Sequence, residues 1–208
     1  MYSDAFGYNP QIPDNVRLIF MWLCQDVAAL RNKWDFYVVL YGREENTGLL
    51  SDLAPASFQM IEESLRNDMT MAIGRLGDAA GSGRRENLSL AALVQGLSEP
   101  GAAADLLEDF KEVYRPVKHF RNKRVGHNDL NTKIKPQENL LPGIGRKHID
   151  RIIELAEEIL NLVYQRFVDG ELCFEPLKIG GADDLIFWLE MAKEYETMKR
   201  NAWLGKTA

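Results

Sequence analysis

Apolar side chains recur three or four residues apart along most of the chain, the spacing of one face of an α-helix. No stretch shows the alternation of apolar and polar residues that marks a half-buried strand. Helix starts and stops stand where this pattern needs them: Pro13 precedes the first stretch, Ser89 is a candidate N-cap, and Gly77 follows the second stretch. The predicted helices span residues 16–41, 55–76, 90–97, 102–120, 149–167 and 182–200.

Polar stretches rich in Gly and Pro separate these helices and predict loops. One proline, Pro116, lies inside the fourth helix, where it removes a backbone donor and predicts a bend or a local boundary. The predicted fold is all-α, an up-and-down bundle of about five to six helices in one domain over residues 1–208, with a core at 14–168 and residues 169–208 as a C-terminal helical extension. The polar stretch 42–48 ends the first helix, the predicted loops or irregular segments are residues 77–88, 98–101, 131–145 and 169–181, and residues 1–12 are predicted to form a loose arm.

The composition of the chain argues against several classes of protein function. A chain of 208 residues can bury a substantial core, and no apolar run approaches the ~20 residues of a membrane span. Cys24 and Cys173 are far apart, and residues 1–4 show neither the basic nor the apolar region of a secretory signal; both features predict a cytoplasmic protein. Three His without zinc-binding spacing predict no metal centre, and no cofactor motif is present. The net charge of −6 argues against a surface that coats nucleic acid.

Positive charge is concentrated around residues 118–130, which predicts a small anion-binding site in an otherwise acidic protein. The ordinary alternative is a solvated basic helix face. Besides Arg121, the basic residues in and around this stretch are Lys111, Arg115, Lys118, Lys123, Arg124, Lys133 and Lys135, against only Glu112 and Asp129 as acidic residues.

The same stretch holds an Arg and a His at a spacing of chemical interest. The dipeptide Arg-Asn occurs four times, at residues 31, 66, 121 and 200, but only Arg121-Asn122 is followed closely by a histidine, His127. On an unbroken helix Arg121 and His127 would point about 120° apart. Gly126 permits the chain to leave the helix between them, so the two side chains could converge on one ligand. A surface or capping histidine is the ordinary alternative.

Residues 120–129 (FRNKRVGHND) resemble the signature of the HEPN superfamily, and the chain is most similar to its AbiU2-type domains, associated with phage abortive infection. The resemblance also includes the long first helix with Trp34 and Tyr37, the helix start at Pro55 and the segment 87–90. It covers roughly residues 14–168. The tyrosine that some HEPN toxins carry just after the histidine is absent, and Asn128 and Asp129 stand there.

The resemblance implies a helical domain that pairs two copies of the motif in a homodimer, where active members cleave RNA without metal. It makes His127 the acid/base for attack of the ribose 2′-OH, Arg121 the group that stabilises the phosphorane, and Asn122 the residue that orients a phosphate oxygen or the histidine. The product would be a 2′,3′-cyclic phosphate. Lys118, Lys123 and Arg124 are candidate RNA contacts.

Two functions from different classes follow. The first is an endoribonuclease of phage defence or a toxin, acting with an antitoxin or a second defence protein as partner. The second is a catalytically inactive HEPN module that binds RNA, a nucleotide or a protein. A purely structural helical dimer is the third reading, since a fold does not fix a function.

Overall fold

The computed structural model describes residues 9, 11–82, 85–125, 144–176 and 180–204. Most of the predicted N-terminal arm and of the predicted loop at 131–145 lies outside these residues. So do His127 and Asp129 of the motif.

The prediction of an all-α fold is confirmed. The described residues form seven α-helices, one π-helical turn and one two-stranded antiparallel hairpin of two residues per strand. In chain order the elements are α1 Asp14–Tyr41, α2 Glu44–Leu53, α3 Pro55–Leu76, β1 Gly81–Ser82, β2 Arg85–Glu86, α4 Leu90–Gly96, α5 Ala102–Phe120, the π-helical turn Arg121–Val125, α6 Arg146–Gln165 and α7 Ala182–Leu204.

Local chemistry explains several of the helix boundaries. The carbonyl of Pro13 accepts from the amides of Val16 and Arg17, which closes the first turn of α1. Ser89 caps α4 as predicted, because its Oγ accepts from the amide of Ala92 at 3.2 Å. Gly101 precedes α5 with φ +48°, a conformation that L side chains rarely adopt.

The chain divides into two compact units. The first unit comprises residues 1–31 and 67–175, and the second comprises residues 32–66 and 176–208. α1 and α3 therefore each contribute to both units.

The first unit has its core where α5 packs along α6. α6 buries one continuous apolar stripe, and Phe110 and Val117 of α5 are buried too. The start of α1 joins this unit through stacking of Phe20 on Tyr164, with ring centroids 6.2 Å apart. The buried residues of α6 are Ile152, Ile153, Leu155, Ala156, Ile159, Leu160 and Val163.

The second unit has a smaller core, formed by the end of α1, by α2 and by the start of α7. Asn46 is buried, and its Nδ2 donates to the carbonyl of Val39 at 2.6 Å. That bond satisfies one of the last carbonyls of α1, which lack partners within the helix. The buried residues of this core are Val39, Leu40, Leu49, Leu50, Ala182 and Ile186.

Several predictions about particular segments need correction. The first helix ends before residues 42–48 as predicted, but no helix is predicted between residues 48 and 55, whereas α2 spans Glu44–Leu53. α5 continues through Pro116 to Phe120, so no helix boundary lies at the proline, and the alternative of a bend stays a prediction. Residues 77–88 were predicted as a loop and contain the β1–β2 hairpin. α7 runs to Leu204, four residues beyond its predicted end.

None of the described helices has both the length and the apolar content needed to cross a membrane.

Candidate functional site

Arg121 begins the π-helical turn that directly follows α5. The i→i+5 bonding of a π-helix interrupts the α-helical repeat, and such turns are frequent at functional sites. The departure from α-helical geometry expected between Arg121 and His127 therefore starts at Arg121 itself, before Gly126. His127 lies outside the described residues, so its predicted convergence with Arg121 stays a prediction.

An ion pair fixes the position of the Arg121 side chain. Its Nη1 donates to Asp78 Oδ1 at 2.9 Å, across 43 positions of sequence. The Arg121 side chain is 17% exposed and that of Asp78 is 34% exposed. Asp78 comes just after the end of α3, so this pair ties the π-helical turn to the end of α3.

A glycine makes room for the arginine. A Cβ built on Gly74 of α3 would lie 2.5 Å from Arg121 Nη1 and closer still to its Cδ. Real side chains do not approach so closely, so Arg121 can pass along α3 only because position 74 has no side chain. The C-terminal end of a helix carries partial negative charge, which favours a cation lying against the last turn of α3.

Tyr114 of α5 completes this corner. Its hydroxyl donates to the carbonyl of Gly74 at 3.4 Å, and its ring lies where a Cβ on Gly77 would be. Burial raises the pKa of Tyr114, with a smaller contribution from Asp78 in the same direction and an opposing one from Arg121. A neutral phenol thus packs against the Arg121–Asp78 pair.

Asn122 is exposed, and its Oδ1 accepts from Arg121 Nε at 3.3 Å. Because its oxygen already accepts from the arginine, Asn122 can bind a ligand through its amide nitrogen, which donates hydrogen bonds. Arg121 has five N–H donors, and within the described residues its recorded bonds use Nη1 and Nε. Donors on Nη2 remain for an anion.

The other predicted binding residues surround this pair. Lys118 is exposed and lies three positions before Arg121, a spacing that places neighbours on one helix face. Lys123 is partly buried, and Arg124 belongs to the π-helical turn. The structure therefore brings Arg121 and Asn122 together, with Lys118 on the helix that leads to them.

The basic segment is less positive than the sequence indicated. Lys111 Nζ donates to Glu108 at 2.7 Å, and Arg115 is paired with Glu112 on the same helix. Glu108 lies three residues before Lys111, just outside the basic segment. The cationic surface of α5 is thereby reduced to its last turn.

Sequence reasoning missed Asp78, Gly74 and Tyr114. Gly74 did carry a signal, because an isolated glycine inside a helical pattern costs about 1 kcal/mol and usually has a packing reason. Asp78 carried none, since a carboxylate in a polar loop shows nothing of its partner. Within the described residues, no group of three or more His, Cys, Asp or Glu could hold a metal ion.

The family model described as AbiU2, of the HEPN type, matches residues 14–184. This match begins where α1 begins, includes the whole Arg121 corner, and extends into the start of α7. No curated protein and no solved structure matched the chain.

Proposed function

The chain belongs to the AbiU2 family of HEPN domains, and we propose that it is a metal-independent endoribonuclease of phage defence or of the toxin type. The observation that carries the proposal is the geometry of Arg121. Arg121, which lies within the residues that the family model matches, is held at a helix end by Asp78, with its neighbour Asn122 exposed and His127 six positions further along the chain.

Each residue of the motif has a role in this reaction. His127 takes the proton of the ribose 2′-OH, since a histidine exchanges protons near neutral pH. The 2′-oxygen attacks the adjacent phosphorus, the bond from phosphorus to the 5′-oxygen breaks, and a 2′,3′-cyclic phosphate and a 5′-hydroxyl result. Arg121 donates to the phosphorane oxygens, whose negative charge grows in the transition state. Asn122 donates to a phosphate oxygen and so fixes the phosphate.

The proposed active form is a homodimer in the cytoplasm. Two copies of the motif form one composite site, in which one His127 serves as base and the other protonates the leaving 5′-oxygen. Lys118, Lys123 and Arg124 contact the RNA backbone on either side. An antitoxin or a second defence protein would control the activity.

One observation favours the second candidate, an inactive HEPN module that binds RNA, a nucleotide or a protein. Arg121 is mostly buried and already paired with a carboxylate. An arginine that serves only to fix the end of α3 would look the same. Catalysis therefore requires that a phosphate share Arg121 with Asp78 or displace it.

The decisive experiment is RNA cleavage by the purified protein in EDTA, against a panel of tRNA and mRNA, with the 3′ ends tested for cyclic phosphate. We expect wild type to cleave, and His127→Ala and Arg121→Ala to lose at least ~100-fold in rate. Arg66→Ala and His148→Ala are the matched controls, because they remove another arginine of an Arg-Asn pair and another histidine.

If wild type leaves every RNA intact, the nuclease proposal fails for those substrates. Binding of the same RNA by wild type, lost in Arg121→Ala, would then support the inactive module. If all four variants cleave as wild type does, the site is wrongly assigned.

A further inference from the structure

α7 presents two faces with different surroundings. One face packs into the core of the second unit through Ala182 and Ile186, both buried. Further along the same face, Lys193 donates to Asp52 of α2 at 2.6 Å. Ile186 and Lys193 are seven residues apart, so they occupy the same position of a seven-residue repeat. The opposite face cannot be covered by this core.

That opposite face is apolar and exposed. Trp188, Met191, Tyr195 and Met198 are 67%, 46%, 56% and 65% exposed. Every residue from 190 to 203 is exposed within the part of the chain that the structure describes. Monomeric proteins rarely expose a contiguous apolar patch of this kind, and such patches mark interaction sites.

The spacing of these side chains identifies the geometry of a partner. Residues 188, 191, 195 and 198 follow one another by three, four and three positions, and Ala202 follows four positions later. This is the a/d pattern of a coiled coil, in which each side chain packs between residues of a like helix. Lys193 and Ile186 fall at the f position, opposite the a/d face, in agreement with their packing against the second unit.

The charges beside the face match a second copy in parallel orientation. With Trp188 at an a position, Glu194 is at g and Lys199 is at e. In a parallel pair, g of one helix meets e of the next heptad of its partner, so Glu194 meets Lys199 twice, once on each side. In an antiparallel pair g meets g and e meets e, and no opposite charges are brought together. Over Ala182–Leu204 acidic residues outnumber basic ones by five to three, which disfavours an anionic lipid surface.

We propose that the face of α7 formed by Trp188, Met191, Tyr195, Met198 and Ala202 pairs in parallel with the same face of a second copy of this chain. This interface uses none of the residues assigned to the composite nuclease site and does not depend on RNA cleavage. Met198 and Glu194 also border an open cleft between α7 and α2, and pairing would cover that rim.

The expected association is weak but specific. A buried aromatic side chain removes about 150–250 Å² from water. With roughly half of each side chain still exposed, pairing covers on the order of 500 Å² per copy, near the lower limit for a specific interface. We expect a dissociation constant of about micromolar order.

Cysteine cross-linking of the full chain tests position and orientation together. Ala202→Cys is made in a Cys173→Ser background, because Cys173 is exposed whereas Cys24 is buried. Parallel pairing brings the two copies of position 202 together, so mild oxidation should give a disulfide-linked dimer. The matched control is Arg200→Cys in the same background, at an exposed f position that faces away from the partner. Absence of the dimer, or an equal yield from the control, would overturn the proposal.

Charge reversal tests the register. Glu194→Lys and Lys199→Glu each replace two attractive pairs by two repulsive ones and should slow cross-linking through position 202 roughly tenfold at dilute protein concentration. The double variant should return to the wild-type value. If the double variant is as slow as either single variant, the parallel register is wrong.

Two further variants separate this interface from the others. Met198→Glu should abolish cross-linking through position 202, whereas Thr197→Glu, the neighbouring exposed residue, should leave it intact. Arg121→Ala should cross-link at the wild-type yield, so a failed nuclease proposal leaves this test unaffected. A chain that sediments as a monomer at tens of micromolar would overturn the pairing and leave the face to a different protein.

Discussion

The first unit holds two arginines, Arg31 and Arg121, that look alike in sequence and differ in structure. Each precedes an asparagine, and each pairs with a carboxylate from a distant part of the chain. Arg31 makes two parallel bonds to Glu157, Nε to Oε1 at 2.8 Å and Nη2 to Oε2 at 2.7 Å. Arg121 makes one bond to Asp78, from Nη1 at 2.9 Å.

The number of bonds separates a structural arginine from a candidate site residue. The two-bond arrangement at Arg31 matches the planar fork of the guanidinium to both oxygens of Glu157 and fixes α1 on α6. The hydrogen bond to Glu157 is the largest cause of the raised pKa of Arg31. Arg121 has this one bond to Asp78 and lies in the gap that Gly74 leaves, so part of its fork stays available to a ligand. The Arg-Asn dipeptide is present at both positions, so it does not distinguish the structural arginine from the candidate site residue.

The largest expected effect comes from filling that gap. Gly74→Ala should reduce RNA cleavage about 100-fold, because the new Cβ displaces Arg121 and a displacement of ~1 Å can cost that much. Folding should survive, since the group that must move is a long side chain. The measurement is cleavage rate together with urea unfolding.

Gly48→Ala is the matched control, a helical glycine of α2 where an added Cβ meets nothing within 4 Å. It should cleave normally and gain about 0.5–1 kcal/mol of stability. If Gly74→Ala cleaves at the wild-type rate, Arg121 is not required where the structure places it.

An effect of intermediate size is expected when the two ion pairs are compared by their contributions to the free energy of unfolding. Arg31→Met should lower the free energy of unfolding by about 1–2 kcal/mol, because Glu157, with a side chain only 17% exposed, loses both bonds. Asp78→Asn should cost less than ~1 kcal/mol, since Asp78 is more exposed and an asparagine oxygen still accepts from Arg121. Urea unfolding measures both, and RNA cleavage should be normal in Arg31→Met. Equal losses of stability would remove the distinction between the two arginines.

The elements that the sequence predicted well are those specified locally. Pro55 starts α3, Ser89 caps α4, and the apolar stripe of α6 has the period of a buried helix. Each of these signals acts between residues a few positions apart, so it can be read directly from a single sequence.

The features that sequence reasoning missed depend on distant contacts. Residues 42–48 have loop composition, but α2 starts among them and is held by the Asn46 bond to Val39 and by burial of Leu49. Asp78 is 43 positions from Arg121. The apolar residues of α7 had a helical period, yet period alone cannot say whether a face meets a core or a partner. Arg121 and Asn122 were named from the sequence, whereas the residues that support them, Gly74, Asp78 and Tyr114, were not.

The smallest expected effect concerns Tyr114, whose hydrogen bond in the Arg121 corner goes to the carbonyl of Gly74 and not to Arg121 or Asp78. Tyr114→Phe should lower the free energy of unfolding by about 0.5 kcal/mol near neutral pH, because it removes one long hydrogen bond to an end carbonyl of α3. Burial raises the pKa of Tyr114 above its ordinary value of 10.0 in the folded protein. Above pH 10, therefore, the unfolded chain loses the phenol proton while the folded protein keeps it, and wild type loses stability as pH rises toward the raised folded pKa.

Phenylalanine has no such proton, so the stability difference between wild type and Tyr114→Phe should shrink as pH rises above 10. Urea unfolding of both proteins at pH 8 and at pH 10.5 measures this change. A difference that stays constant would mean that burial does not hold the proton on Tyr114. A large loss of RNA cleavage in Tyr114→Phe would contradict the comparison of the two arginines itself. It would mean that the hydrogen bond from Tyr114 to Gly74, and not the single bond to Asp78, positions Arg121.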